Sequence, residues 1–337
     1  VRTGVPGPYA LIRDLPGVRS SHRPNHFVLI SILTTALFAA AGARALLARM
    51  PRAGARWAVG GLLAAILAVD GWAGPPPLFQ RPMPAPYLAM PPADGALLPV
   101  PLHLNFSNSE NLWYQTRHRW PIVGGFIGRE PPYPLGRYAP GIKELRFGRV
   151  ERDDILSPGW PELAREALAA YDIRYVMFHH QSMGSPLPLM REIVAEMGLA
   201  ESYRDELITV HPVPAPAEPR PLAYLGPGWG DLEREGERRW RWMGESAQVY
   251  LLNPTGAPRP VALTLDLEAF EHARPLTMRL GDGPPFTIEV SRARMVRRLR
   301  LILPPGETVL YLGAPAGSPP GQPERRLSLA VMGISIE

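Results

Sequence analysis

From Phe27 to Ala43 the chain reads FVLISILTTALFAAAGA, an unbroken run of apolar and small residues that ALLA prolongs past Arg44. A helix of that length matches the ~30 Å hydrocarbon core of a bilayer, with Arg44 reaching one interface on its flexible stem. The polar positions in the run are Ser31, Thr34 and Thr35, too few to form the wet face of a helix in a soluble hairpin. A second run, WAVGGLLAAILAVDGWAG from Trp57 to Gly74, is shorter, has Asp70 near its far end and carries Trp at both ends, as an interfacial belt does. The two predict a transmembrane hairpin over residues 26–74. A cleaved signal peptide fits poorly, because the first run begins only at Phe27 and a second follows it.

Arg44, Arg49, Arg52 and Arg56 crowd the short connection, whereas Arg81 is alone in the long stretch after Gly74. The positive-inside rule therefore puts the connection in the cytoplasm and everything after about residue 75 outside. Arg13, Arg19, His22 and Arg23 make the N-terminal flank basic as well, which opposes that orientation. Residues 1–25 lack a start signal and read as a loop entered midway, the truncated end of a longer multi-span protein.

Composition limits the remainder. The 337 residues are 46% hydrophobic, with 42 Pro and 32 Gly spread along the chain, which favours ordered loops and β-rich modules over disorder. The formal net charge is +5, yet Lys143 is the sole lysine in an Arg-, Ala-, Gly- and Pro-rich chain. That skew is the mark of a GC-rich genome, so basicity is no argument for nucleic acid. Cys is absent, which removes disulfides and thiolate metal sites.

Residues 75–96 are Pro-rich and read as an extended linker. Over 97–213 strand and helix patterns alternate: LLPVPL, then PELAREALAAYD, IRYVMFHH, PLMREIVAEMG and ELITVHPV, the signature of a small α/β domain. Pro161 and Pro188 stand at helix starts and Gly198 at a helix end. PVPAPAEPRP then leads into 214–337, where AQVYLLN, VALTLDLEAF, PLTMRL, FTIEVSR, RLRLILP, TVLYLGA and LSLAVMGISIE alternate with Gly/Pro turns. That spacing predicts an antiparallel β-sandwich of jelly-roll type. Arg292, Arg294, Arg297, Arg298 and Arg300 read as its solvated face. The expected fold class is thus a membrane-anchored α+β protein: two transmembrane helices, a small α/β extracytoplasmic domain and a C-terminal sandwich.

Local chemistry is sparse. Asp153-Asp154 is either a metal or acid pair or a turn device, and adjacent side chains point apart too readily for the first. His179-His180 ends a strand with its rings on opposite faces, and no His spacing supplies further metal ligands. GGFIG lacks the strand, lysine and helix of a phosphate cradle.

The order of LPGVRSSHRPNHFVLISILTTALFAAAGARALL, a second span, VPLHLNFSNSENLWYQTRHRWPIVGGFIGR, YDIRYVMFHH, GWGDLERE, RWRWMGESAQVYLLNP, LPPGETVLYL and RRLSLAVMGISI resembles the C-terminal half of bacterial multi-span GT-C glycosyltransferase-like membrane proteins. The resemblance implies extracytoplasmic domains above a helical core in the bacterial inner membrane. It also implies transfer of a sugar from a polyprenyl-phosphate donor in the enzymatic members, by an acidic residue of a first loop that this chain does not contain. No catalytic residue, metal or cofactor is therefore assigned here. The expected partners are the lipid bilayer and a lipid-linked sugar or glycan, with no nucleic acid.

Within that frame YQTRHRWPIVGGFIGREPPYP, residues 114–134, reads as a substrate-positioning loop. Tyr114, Gln115, His118, Arg119, Arg129 and Tyr133 are its candidate binding residues. Sugars are held by aromatic faces together with amides and guanidinium groups, and Trp113, Trp120 and Tyr138 add rings nearby. The same rings suit packing, as do Trp229, Trp240 and Trp242 of the sandwich. A non-enzymatic glycan-binding or scaffolding membrane protein is the alternative.

Overall fold

The computed structural model describes residues 26–70, 82–91, 93–102, 109–125, 135–183 and 186–337. The chain divides into two compact units, Val1–Arg81 and Pro82–Glu337.

In the first unit, α1 (His26–Ala48) and α2 (Ala53–Asp70) follow one another. The 23 residues of α1 rise about 35 Å. Over Ser31–Ala48 its mean hydropathy is 1.6 and none of the segment is buried within the protein. The apolar stretch of α2 is shorter, Ala53–Val69, so among the described residues one helix is long and apolar enough to cross a membrane. Of the second predicted span, the described residues form a helix as far as Asp70, and residues 71–74 lie outside them. The basic turn is ordered locally, Arg56 Nε donating to Met50 O at 2.7 Å.

The second unit begins with α3 (Ala85–Ala89), inside the predicted linker. Its Tyr87 is buried in a core, with Met83 and Met90 packed against the same cluster. A four-stranded sheet follows, made of β1 (Ala96–Val100), β3 (Ile173–His179), β5 (Ile208–Pro212) and β4 (Tyr203–Arg204) in the spatial order β1-β3-β5-β4. The β1–β3 pair is parallel and the others antiparallel. Gly95 fixes the start of β1 at φ 111°, where a Cβ would stand 2.5 Å from Asp172 O; Ala96 N–H instead donates to that oxygen at 2.8 Å.

One sheet face is covered by α6 (Ile142–Phe147), α7 (Trp160–Ala170) and α9 (Leu187–Glu196), which bury Leu145, Leu168 and Ile193 against Val176 and Phe178. The other face is covered by α3 and by α4 (Ser109–His118). Helix α4 takes up the start of the stretch read as a loop from 114. The chain after it runs beside β1, Leu97 and Val123 exchanging backbone hydrogen bonds with Pro121 O and Leu97 O at 2.9 and 2.8 Å. Short helices α5 (Leu135–Tyr138) and α8 (His180–Met183) complete this layer.

Two antiparallel sheets form the sandwich. One has the order β13-β10-β15-β8-β7, from Met295–Leu303, Arg259–Ala269, Leu329–Ile336, Arg238–Met243 and Trp229–Glu235. The other has the order β12-β11-β14-β9-β6, from Phe286–Val290, Arg274–Leu280, Gly306–Gly313, Ser246–Asn253 and Leu222–Leu225. Strict alternation along β10 sends Val261, Leu263, Leu265 and Leu267 into the core between them. Three strands, β6 to β8, escaped the sequence reading because β7 and β8 are charged and β6 is only four residues long. Of the arginine set, Arg294 pairs with Asp266 and Arg298 with Glu337, as suits a solvated face.

The α/β layer and the sandwich, predicted as separate domains meeting at 213/214, share one compact unit. Strand β2 (Leu156–Ser157) adds in parallel to β15. Tyr224 and Tyr250 of the sandwich lie in the helical core, and Arg241 of β8 donates to both carboxylate oxygens of buried Asp154, at 2.7 and 3.1 Å.

Candidate functional site

The pleat of β3 turns Tyr175, Met177 and His179 toward α3 and α4. There Tyr87 sits among aromatic rings: centroids are 5.2 Å to Tyr114, 4.8 Å to His118 and 5.9 Å to His179. Tyr87 Oη and His179 Nε2 share a hydrogen bond of 2.9 Å, and Tyr114 stacks on His179 at 5.2 Å. Glu110 closes the cluster, accepting from Tyr114 Oη at 2.7 Å and from Ser182 Oγ at 2.9 Å. Burial drives both imidazoles down, to about 4 for His179 and about 4 for His118, and pushes the Tyr87 phenol up. At neutral pH the two imidazoles are therefore uncharged, and the cluster is a hydrogen-bonded wall.

The end of α4 is tied down by its own side chains. His118 Nδ1 accepts from Trp120 N–H at 3.0 Å, Gln115 Nε2 donates to Trp120 O at 3.0 Å, and Trp120 Nε1 donates to Pro91 O at 2.9 Å. Arg119 adopts φ 61° to make the turn and leaves its side chain exposed. Trp120, 2% exposed, sets its edge against the Tyr175 ring at 5.6 Å.

On the open side of α3 this packing leaves a groove of about 340 Å³. Tyr175 and Tyr203 supply rings, Met90, Met177 and Pro86 apolar walls, and Ser202 a hydroxyl. Tyr203 Oη donates to Asp205 Oδ2 at 2.9 Å, which fixes its tip. Aromatic walls with a few polar atoms, in a space of this size, form the usual setting for a small ligand or one sugar residue.

Of the six candidate residues, Tyr114, Gln115 and His118 come together but bond within the protein. Arg119 is exposed at the turn, and Arg129 and Tyr133 lie outside the described residues, as does most of GGFIG. Trp113 is exposed on α4, and Tyr138 packs its ring 5.9 Å from Tyr250. Asp154 is held by Arg241 and by Ile155 N–H, a structural role, while Asp153 pairs with Arg234 at the surface. His180 bonds Thr209 Oγ1 at 2.7 Å, away from His179. Among the described residues no three His, Asp or Glu side chains converge as metal ligands. Trp229 Nε1 bonds Gln248 O at 2.8 Å, and Trp242 packs edge-on to Phe270 at 5.6 Å, so these two serve the sandwich. The sequence reading missed Tyr87, Glu110, Tyr175 and Tyr203, which lie up to 116 positions apart and meet only through the sheet.

No family model and no curated protein matches the chain. Among solved structures it is similar to a family 35 carbohydrate binding module from an environmental isolate, at 10% identity over 34% of this chain and 91% of that one, TM-score 0.26. A family 35 carbohydrate binding module from Clostridium thermocellum aligns at 11% identity over 33% and 90%, TM-score 0.23. A GH26-CBM35 β-(1,4)-mannanase from Podospora anserina aligns at 11% identity over 33% and 27%, TM-score 0.23. The assignment of an antiparallel sandwich rests on this chain's own strand pairing.

Proposed function

We propose that the chain is the membrane-tethered, extracytoplasmic part of a glycosyltransferase-like cell-envelope protein, and that it positions a lipid-linked sugar or glycan acceptor without performing the chemistry itself. The observation that carries this reading is the tyrosine-walled groove of about 340 Å³, backed by Trp120 and the Tyr87–His179 wall. Its rings suit the apolar face of a sugar, its methionines and prolines suit a prenyl carrier, and the rigid backing spares the entropy of ordering the site on binding. Tyr114, Gln115 and His118 act as struts of that backing. Helix α1 supports the tether to the inner membrane, and the arginine-rich turn supports an outward location for residues after 75. Self-satisfied side chains at the site favour positioning over catalysis, so a non-enzymatic glycan-binding protein is the second reading.

The test uses the full chain in nanodiscs with a prenyl-phosphate sugar and with free oligosaccharides. Tyr175→Ala and Tyr203→Ala each lower affinity about tenfold, the loss of one stacking contact of about 1.5 kcal/mol. Unchanged binding in both variants, or no binding by the parent, overturns the reading. Binding of the prenyl-free oligosaccharide at equal strength selects the second reading.

A further inference from the structure

The sandwich sheet that ends in β13 leaves a long edge open. Ala262 of β10 exchanges backbone hydrogen bonds with Glu337, its N–H donating at 2.9 Å and its C=O accepting at 3.1 Å, so both groups face the β15 side and turn away from β13. Along an antiparallel ladder that orientation alternates. Val261, Leu263 and Leu265 therefore bond Leu301, Leu299 and Arg297 of β13, and Val296, Arg298, Arg300 and Ile302 point their N–H and C=O groups out of the sheet. No strand among the described residues pairs with them.

The side chains of these same residues share one face. Leu299, Leu301 and Leu303 point toward the sandwich core, so their alternates stand on the outer surface. All are exposed, Val296 by 62% and Ile302 by 70%. The surface row thus reads apolar, cation, cation, apolar along about 20 Å of strand. Open backbone groups flanked by exposed apolar side chains are what an added strand covers, its amides completing the ladder and its side chains shielding Val296 and Ile302.

Charge specifies the strand. Residues 291–305 hold five arginines and no acidic residue. Arg294 is held by Asp266, and Arg298 meets Glu337 where both side chains are mostly exposed, which makes that pair weak. Arg297 and Arg300 have no ion pair among the described residues, and their cross-strand neighbours are Leu265 and Ala262. Arginines on an edge ordinarily keep other strands away. They exclude basic strands, a second copy of β13 included, and they favour an acidic one. A nucleic acid would neutralise the arginines, yet it offers no ladder of amides to the open edge.

We propose that β13 is a docking edge for an extended acidic segment of a partner protein. The segment adds to the sheet beside β13, with carboxylates at alternate positions against Arg298 and Arg300 and apolar residues against Val296 and Ile302. The site is independent of the tyrosine groove, so either proposal stands if the other fails.

The test titrates the full chain in phosphatidylcholine nanodiscs against a fluorescent seven-residue peptide, read by anisotropy. The peptide has isoleucine at both ends, glutamate at the third and fifth positions and threonine between, a pattern that is the same in either strand direction. It binds saturably. Of two forms N-methylated at alternate amides, the one whose methyl groups face the edge binds at least about tenfold more weakly. The surface double variant R298E/R300E also binds the peptide at least about tenfold more weakly, and it gains binding to the same peptide with lysine in place of glutamate, which only a folded edge can do. The proposal is overturned by the absence of saturable binding or by the double variant binding within twofold of the parent. It is overturned as well if both N-methylated forms bind within twofold of the unmodified peptide, the mark of bare charge attraction that a nucleic acid or an anionic membrane would share. Self-association of the parent that the double variant abolishes and the peptide does not compete assigns the edge to a second copy and overturns it too.

Discussion

The two halves of the second compact unit are built from different materials. Every member of the buried cluster at the centre of the sandwich is Ala, Val, Leu, Ile or Met, from Ile155 through Val249 and Leu263 to Ile336. Around that cluster the sandwich buries Arg241, Asn253, Arg274 and Ser328, whereas the α/β layer buries three imidazoles, His118, His179 and His211, and two carboxyls, Glu144 and Asp154, together with Asn111. An aliphatic core is held by burial alone and is indifferent to pH, whereas buried polar groups hold only while their partners and protonation states persist. The sandwich is therefore the scaffold, and the α/β layer carries the tyrosine groove together with the conditional part of the stability.

The joint between them provides the largest test. Arg241→Met leaves Asp154 buried without its counter-charge and should cost about 3–5 kcal/mol in unfolding free energy, measured by urea titration. A loss below about 1 kcal/mol would mean that the ion pair does not hold the halves together. Leu263→Ala in the fully buried sandwich core should cost about 3 kcal/mol and lower the stability of the whole unit.

Acid separates the halves most sharply. Burial holds His179 at about 4 when folded against 6.5 when unfolded, so below 6.5 the unfolded chain takes up its proton first. Stability from this residue is complete above 6.5 and is lost as pH falls toward 4, by about 2 kcal/mol at pH 5. Buried His118 and His211 shift in the same direction. Hydrogen exchange at pH 5 should therefore show β3, β5 and α4 opening while β10 and β14 remain protected, and uniform opening would contradict the contrast.

Tyr87→Phe removes the hydroxyl bonded to His179 and should cost about 1–2 kcal/mol, with the change in exchange confined to the α/β layer. Val296→Thr, on the exposed edge of the sandwich at 62% exposure, should stay within about 0.5 kcal/mol and so calibrate the others.

Legibility in the sequence follows the same contrast. Residues 259–269, RPVALTLDLEA, were readable as a strand because every second side chain enters one core. The helices at 160–170 and 187–196 were readable from their apolar stripes. Helix α4 was not, because its buried positions Asn111, Tyr114 and His118 are polar or amphipathic and mimic a loop. Tyr87 was hidden for another reason: proline-rich surroundings resemble a strap, and only packing shows that Tyr87 belongs to a core. Within the stretch read as a binding loop, Tyr114, Gln115, His118 and Trp120 bond inside the protein beside the groove, and Arg129 and Tyr133 lie outside the described residues.

By itself the sequence determined the membrane-length helix, the alternation of strands and helices before residue 213 and the antiparallel run after it. Those are properties of local period and length, which neighbours along the chain specify. Tertiary structure alone decided that Tyr175 and Tyr203 face one groove, that Tyr87 meets His179, and that Asp154 is spent on Arg241. Such pairs join residues 28 to 92 positions apart, and their meeting depends on strand order and register, which no local pattern encodes.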